Sequence, residues 1–174
     1  MIFPAKYKFF LFNHLIKTLQ IIIFLSPLFL AGCNQLYMQK DNSLNTFLFR
    51  LSSTYAEPSL SNKWLVVLAN YRGKEKVEMI DLRKRVIVTL PGINRLNSQP
   101  ISVSASENGE TIAVVQQRAG ETELIIYRRK SGTSRRLELI PKGVPRRVSI
   151  DANGKILAVQ VSRAGIWEVD LIRL

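Results

Sequence analysis

Between positions 100 and 141 the chain alternates short β-prone runs with turn signals. The runs are 101–104, 111–117, 123–129 and 135–140, and the turns between them are Glu107-Asn108-Gly109, Ala119-Gly120 and Ser131-Gly132. Glycine and Asn-Gly supply the positive-φ positions that tight hairpins need, and the β-branched residues between them favour a pleated chain. Ile112-Ala113-Val114-Val115 and Leu124-Ile125-Ile126 are apolar at every position, so both faces of those strands are expected to be covered. Arg136, Leu137, Glu138 and Leu139 alternate instead, as in a strand with one wet face. The pattern predicts a four-stranded antiparallel meander, buried in its middle and exposed along its last strand.

The same unit recurs on both sides. Val103-Ser104-Ala105-Ser106-Glu107-Asn108-Gly109, Ala113-Val114 and Arg118-Ala119-Gly120 have ungapped counterparts in Val148-Ser149-Ile150-Asp151-Ala152-Asn153-Gly154, Ala158-Val159 and Arg163-Ala164-Gly165. The offset is 45 positions throughout (165 − 120). An earlier copy runs through Ser59-Leu60-Ser61, Leu65-Val66-Val67 and Tyr71-Arg72-Gly73, offset by 47 at the glycine (120 − 73), with Asn62-Lys63 as a shortened first turn. A period of about 40–45 residues with four strands per unit is the signature of propeller blades. Blade one is expected at 59–61, 64–70, 76–82 and 85–90, blade two at the runs above, and blade three at 147–150, 156–162 and 166–171.

Ser104…Asn108-Gly109…Ala113-Val114…Gly120 and Ser149…Asp151…Asn153-Gly154…Ala158-Val159…Gly165…Val169-Asp170-Leu171 resemble the WD40-like blades of TolB-type periplasmic propellers. The resemblance covers about 58 to 174. It implies an all-β fold of three four-stranded propeller-type blades, a partial β-propeller, and a role in holding other proteins. TolB itself has six blades behind an N-terminal α/β domain, and this chain matches neither feature.

Residues 1–32 read as a lipoprotein signal peptide containing a signal helix. Lys6, Lys8 and Lys17 precede an apolar run from Ile21 to Leu30, with no acidic residue in the region. Leu30-Ala31-Gly32-Cys33 matches the bacterial lipobox, in which Cys33, the only cysteine, is acylated on sulfur and becomes the mature N-terminus. Asn34 at the next position resembles lipoproteins sorted to the outer membrane. Residues 33–45, rich in Asn and Gln, read as a tether, and 46–174 as the propeller-repeat domain.

Phe47, Phe49 and Leu51 alternate with Arg50 and Ser52, which suits a half-exposed strand over 46–52; an apolar patch on the tether or one short helical turn are the other readings. The strand is favoured because blade three lacks an outer strand, and propellers often close by borrowing one from the N-terminus. Three blades fall below the usual 4–8 of a closed ring. An open curved stack or a symmetric dimer totalling six blades resolves that shortfall.

Chemistry is constrained by what is missing. The only histidine, His14, lies in the leader, so Ser-His and Cys-His pairs and His/Cys metal sites are ruled out in the mature chain, and no cofactor is expected. Asp151-Ala152-Asn153-Gly154 lacks the spaced ligands of a calcium loop and reads as an Asx-type turn. Asp81 and Asp170, at matching ends of third strands, read as structural. Catalysis by carboxylates on envelope glycans is the enzyme alternative.

The whole chain carries 25 basic and 13 acidic residues; without the three leader lysines the count is 22 against 13, a balance of +9. Basic residues gather at turns between third and fourth strands, in Arg83-Lys84-Arg85 and in Arg128-Arg129-Lys130 with Arg135 and Arg136, and Arg146-Arg147 precedes blade three. Such residues guard outer strands against edge-to-edge pairing. They also form an electropositive rim suited to an acidic protein or an anionic envelope surface, which makes Arg128, Arg129, Lys130, Arg135 and Arg136 the candidate partner-binding residues. Nucleic acid is disfavoured because an exported protein does not meet it and aromatics are not interleaved with the basic residues. The expected function is a non-catalytic, membrane-tethered interaction module on the periplasmic side of the cell envelope, with an envelope-stabilising lipoprotein that binds anionic polymer as a further alternative.

Overall fold

The computed structural model describes residues 39–51 and 54–174; the leader with its expected signal helix, Cys33 and the tether up to Met38 lie outside the described residues. Residues 41–174 belong to one compact unit. It comprises helix α1 (Asn42–Arg50) and strands β1 (Thr54–Ser61), β2 (Trp64–Tyr71), β3 (Lys74–Asp81), β4 (Val86–Val88), β5 (Ser98–Ala105), β6 (Thr111–Arg118), β7 (Glu121–Arg128), β8 (Thr133–Leu137), β9 (Val144–Ile150), β10 (Ile156–Arg163) and β11 (Ile166–Arg173). They form three antiparallel sheets, ordered β1-β2-β3-β4, β5-β6-β7-β8 and β9-β10-β11. These are the three expected blades, the third with three strands.

The segment expected to complete blade three does not do so. Residues 46–50 lie in α1, 51 is a turn, and 52 lies outside the described residues. Asp41 caps the helix, its carboxylate accepting hydrogen bonds from the Ser43 and Leu44 backbone N–H at 3.1 and 3.0 Å. Leu44, Phe47, Leu48 and Leu51, at i, i+3, i+4 and i+7, are the half-buried residues, whereas Phe49 is 88% exposed. The helical period therefore wins over the period of two that Phe47, Phe49 and Leu51 suggest, and the cap that selects it lies just upstream of that alternation.

Middle strands pack on both faces, as the unbroken apolar runs require. Trp64, Val66, Leu68, Val77 and Met79 of blade one meet Val103, Ala105, Ile112, Val114 and Tyr127 of blade two. On the other face of blade two, Ala113, Val115, Leu124 and Ile126 meet Val148, Ile150, Leu157, Val159 and Val161 of blade three. Leu137 packs beside this second cluster and Leu139 within it, in accord with the alternation read in the outer strand. Each junction is also stitched by a hydroxyl: Ser59 Oγ accepts the Ala105 N–H at 3.1 Å, and Ser104 Oγ accepts the Ile150 N–H at 3.1 Å.

The turns explain the repeated glycines. Arg72-Gly73, Ala119-Gly120 and Ala164-Gly165 each join their strands with positive φ at both positions (54° and 81°, 50° and 83°, 47° and 81°), the two-residue hairpin geometry that suits strand twist. Gly109 has a second constraint. At φ +66° it lies against blade one, where an added Cβ would sit 2.7 Å from Trp64 Cδ1 and closer still to Met79. The Asn-Gly turn is thus a blade-packing contact as well as a bend.

Candidate functional site

The turns β3–β4 and β7–β8 occupy equivalent places in adjacent blades, so the basic runs 83–85 and 128–130 lie at the same end of the stack. Most of the candidate side chains there are engaged within the protein. Arg128 donates from Nη1 to Thr111 Oγ1. Arg129 donates from Nε to the Gly109 carbonyl at 2.8 Å, and its guanidinium lies 4.9 Å from the centre of the Trp64 ring. Lys63 Nζ also lies over that ring, at 4.6 Å. Lys130 pairs with Glu110. This end is therefore a cationic cluster wrapped around an indole that bridges two blades.

Arg135 and Arg136 sit elsewhere, as neighbours along β8 and so on opposite faces of the sheet. Arg136 reaches Glu121 at 3.3 Å and Glu123 at 3.6 Å, while Arg135 is exposed and makes no ion pair among the described residues. The five candidates thus divide into Arg128 at the end of β7 with Arg129 and Lys130 on the turn that follows, and two along an outer strand, rather than forming one patch.

The carboxylates read as structural are bonded as structure. Asp81 is held below its ordinary pKa chiefly by the Lys84 backbone N–H, with that of Arg83 also donating to its Oδ1. Asp151 is depressed first by the Ile156 N–H and also by that of Lys155, which closes the Asx-type turn. Asp170 is depressed by the Arg163 guanidinium, whose own pKa is raised by Asp170 and Glu168. Arg163 also donates to the Pro141 carbonyl at 3.0 Å, clamping the connection between blades two and three.

A cleft of about 750 Å³ lies between the outer half of blade two and that connection, lined in part by Glu121, Glu123, Glu138, Arg136 and Lys142. Glu123 is buried and accepts from Gln116 Nε2 at 2.6 Å while facing Arg136. Its carboxylate is committed to those partners, an arrangement that suits holding a strand in place. Among the described residues no group of three or more His, Cys, Asp or Glu stands close enough to hold a metal ion.

Blade three carries an exposed face that sequence reasoning did not single out. Trp167, Val169 and Leu171 of β11 point away from blade two and are 48%, 67% and 76% exposed. Arg146 lies over the Trp167 ring at 5.5 Å. Ser149, the 45-residue counterpart of the stitching Ser59 and Ser104, is exposed and has no partner among the described residues. The signal for this surface was present in the offset itself, since Leu124 and Ile126, which blade three buries, align with Val169 and Leu171.

Three stacked antiparallel sheets, with β5 against blade one and β9 against blade two, define a run of β-propeller blades. Solved structures agree. The chain is similar to TolB from Acinetobacter baumannii, with TM-score 0.53 and 21% identity over 67% of this chain and 29% of that one. It is also similar to a structure described in an analysis of two prolyl endopeptidases, with TM-score 0.50 and 14% identity over 75% of this chain and 23% of that one. The chain therefore has a TolB-like propeller fold and spans under a third of the length of either protein. No protein-family model matches the chain, and no curated protein matches it.

Proposed function

We propose that the protein is a non-catalytic interaction module of the bacterial cell envelope, tethered to a membrane through a lipid on Cys33. The observation that carries this reading is the TolB-like stack of propeller blades with a cationic cluster around Trp64 at one end. Trp167, Val169 and Leu171 are exposed together on blade three, a contiguous apolar surface that suits a further blade or a partner protein. The similarity to TolB supports a periplasmic setting, and Leu30-Ala31-Gly32-Cys33 supports the anchor and, with Asn34, the outer membrane. Among the described residues no helix is long and apolar enough to cross a membrane.

The cationic end of the stack, with Arg128, Arg129 and Lys130, and the separate pair Arg135 and Arg136 add affinity for an acidic protein or an anionic envelope surface, an attraction that salt weakens. A second copy of the chain is another partner the open face admits, giving six blades in all. The competing enzyme reading places carboxylate chemistry in the cleft around Glu121, Glu123 and Glu138. Metabolic labelling with an alkyne fatty acid tests the anchor. Wild type is expected to label and to fractionate with membranes, and Cys33→Ser to do neither; equal labelling of the two removes the tether.

A further inference from the structure

The turns of the three blades fall at two ends. In an antiparallel meander the first and third turns share one end, and hydrogen bonds tie them together there. The Leu82 N–H donates to the Lys63 carbonyl at 2.8 Å in blade one, and the Arg129 N–H to the Glu110 carbonyl at 2.8 Å in blade two. Ser61 Oγ donates to the Ser106 carbonyl at 3.1 Å, and the Glu107 N–H to the Ala152 carbonyl at 2.9 Å, linking the first turns from blade to blade. The turns at this end (62–63, 82–85, 106–110, 129–132 and 151–155) carry seven basic residues against three acidic, a balance of +4. The opposite end, with the turns 72–73, 119–120 and 164–165 and the connections 89–97 and 138–143, carries three against one. The charge therefore favours the first end, and two of its acids are spoken for. Asp151 accepts from the Lys155 and Ile156 N–H groups, and Glu110 pairs with Lys130. Arg83, Lys84 and Lys155 are exposed, and their side chains make no hydrogen bond or ion pair among the described residues.

The chain also enters the domain at this end. Asp41 caps α1, and Ser43 Oγ in its first turn accepts from Arg85 Nη2 at 2.8 Å. By Thr54, which pairs with Asn70 beside the 72–73 turn, the chain has crossed to the other end. Eight residues separate Cys33 from Asp41 (41 − 33), a reach of at most about 28 Å. An eight-residue strand such as β2 is itself about 26 Å long. Turning the opposite end to a membrane that holds Cys33 would consume almost the whole reach in passing the height of a blade. The cationic end needs almost none of it.

We infer that the cationic end docks on the anionic phospholipid headgroups of the membrane that holds the Cys33 lipid, with Arg83, Lys84 and Lys155 meeting phosphates and the blades standing upright on the bilayer. This rests on the lipid-anchored reading and gives it an orientation. A basic patch beside an acyl chain is a pairing that fixes a protein to a membrane surface. An acidic protein fits this end less well, because the tether keeps the end within about 28 Å of the bilayer. Arg135 and Arg136, along β8, remain for a protein partner.

The test uses the lipidated chain, purified from membranes and reconstituted into phosphatidylcholine vesicles with or without phosphatidylglycerol. Cys33 is the only cysteine and its sulfur carries the acyl group in the anchored chain, so an introduced cysteine alone takes a fluorophore. Asn153→Cys reports on the cationic end and Asn97→Cys on the opposite end, and both positions are exposed. With a quencher on the lipid headgroups, quenching at 153 is expected to exceed that at 97 by about threefold or more when phosphatidylglycerol is present. Omitting phosphatidylglycerol, adding about 0.5 M salt, or combining Arg83→Gln, Lys84→Gln and Lys155→Gln should each at least halve that excess. Equal quenching at the two positions, or an excess at 97, leaves the anchored module standing and overturns this orientation. An excess at 153 that none of the three changes reduces overturns the headgroup contact. In intact cells, a photo-crosslinking residue at Ser131 is expected to capture phospholipid; a protein adduct there that the triple variant loses assigns this end to an acidic partner instead. A wild-type chain whose own Cys33 takes the fluorophore removes the tether and this inference together.

Discussion

Gly109→Ala isolates the contact that makes blades one and two a single body. Two costs add at this position. An L-residue at φ +66° is disfavoured by about 1–2 kcal/mol, and the new Cβ, 2.7 Å from Trp64 Cδ1, must displace a ring over which Lys63 and Arg129 both lie. Overpacking of this kind costs about 1–3 kcal/mol, for a total of about 2–5 kcal/mol. Gly73→Ala and Gly120→Ala are the controls, because both have φ above 80° and nothing within 4 Å of the added carbon, so each incurs only the backbone cost. In urea denaturation of a purified fragment spanning 41–174, Gly109→Ala should lose at least about 1 kcal/mol more than either control. Combining Gly109→Ala with Trp64→Leu should cost less than the sum of the two, because the clash is lost with the ring. Equal losses at 73, 109 and 120, or strict additivity with Trp64→Leu, would refute the contact.

The packing sets three further outcomes. Tyr127 is buried with a hydroxyl that has no partner among the described residues, so Tyr127→Phe should leave stability unchanged or raise it by about 1 kcal/mol; a clear loss in thermal denaturation would show a missed bond. Ser104→Ala should destabilise by about 1–2 kcal/mol by orphaning the Ile150 N–H, whereas Ser149→Ala should leave the melting temperature unchanged; equal effects would contradict the stitching role. Asp170 is depressed in the folded state, so its contribution is full above its ordinary value of 3.8 and is lost as pH falls through the folded value. Arg163→Met should remove that part of the acid destabilisation, and a denaturation-against-pH profile identical to wild type below pH 4 would count against the clamp.

What the residues made legible was whatever repeats. The strand–turn period, the Asn108-Gly109 and Asn153-Gly154 turns, and the double-sided apolar runs at 112–115 and 124–126 fixed three blades and their order, because turn chemistry and two-faced burial are local signals. The error at 46–52 arose where two periods compete over one short stretch, and Asp41, which decides for the helix, lies outside the alternating residues. The basic cluster was legible as charge but not as geometry. Spacing does not reveal that Arg129 lies over Trp64 from the neighbouring blade, or that Arg135 and Arg136 face opposite ways. Nor did periodicity distinguish β7 from β11, which carry similar patterns although, among the described residues, a further strand pairs only with β7.

The most direct test of the interaction-module account is chemical crosslinking in intact cells with identification of what the wild-type chain captures, repeated after Arg128, Arg129, Arg135 and Arg136 are changed to Ser. The account predicts specific envelope proteins captured by wild type, reduced capture at high salt or in the arginine variant, and no turnover of glycans or peptides by the purified protein. Absence of any captured protein, together with turnover that disappears on changing a single residue among Glu121, Glu123 and Glu138, would contradict it and make the cleft an active site.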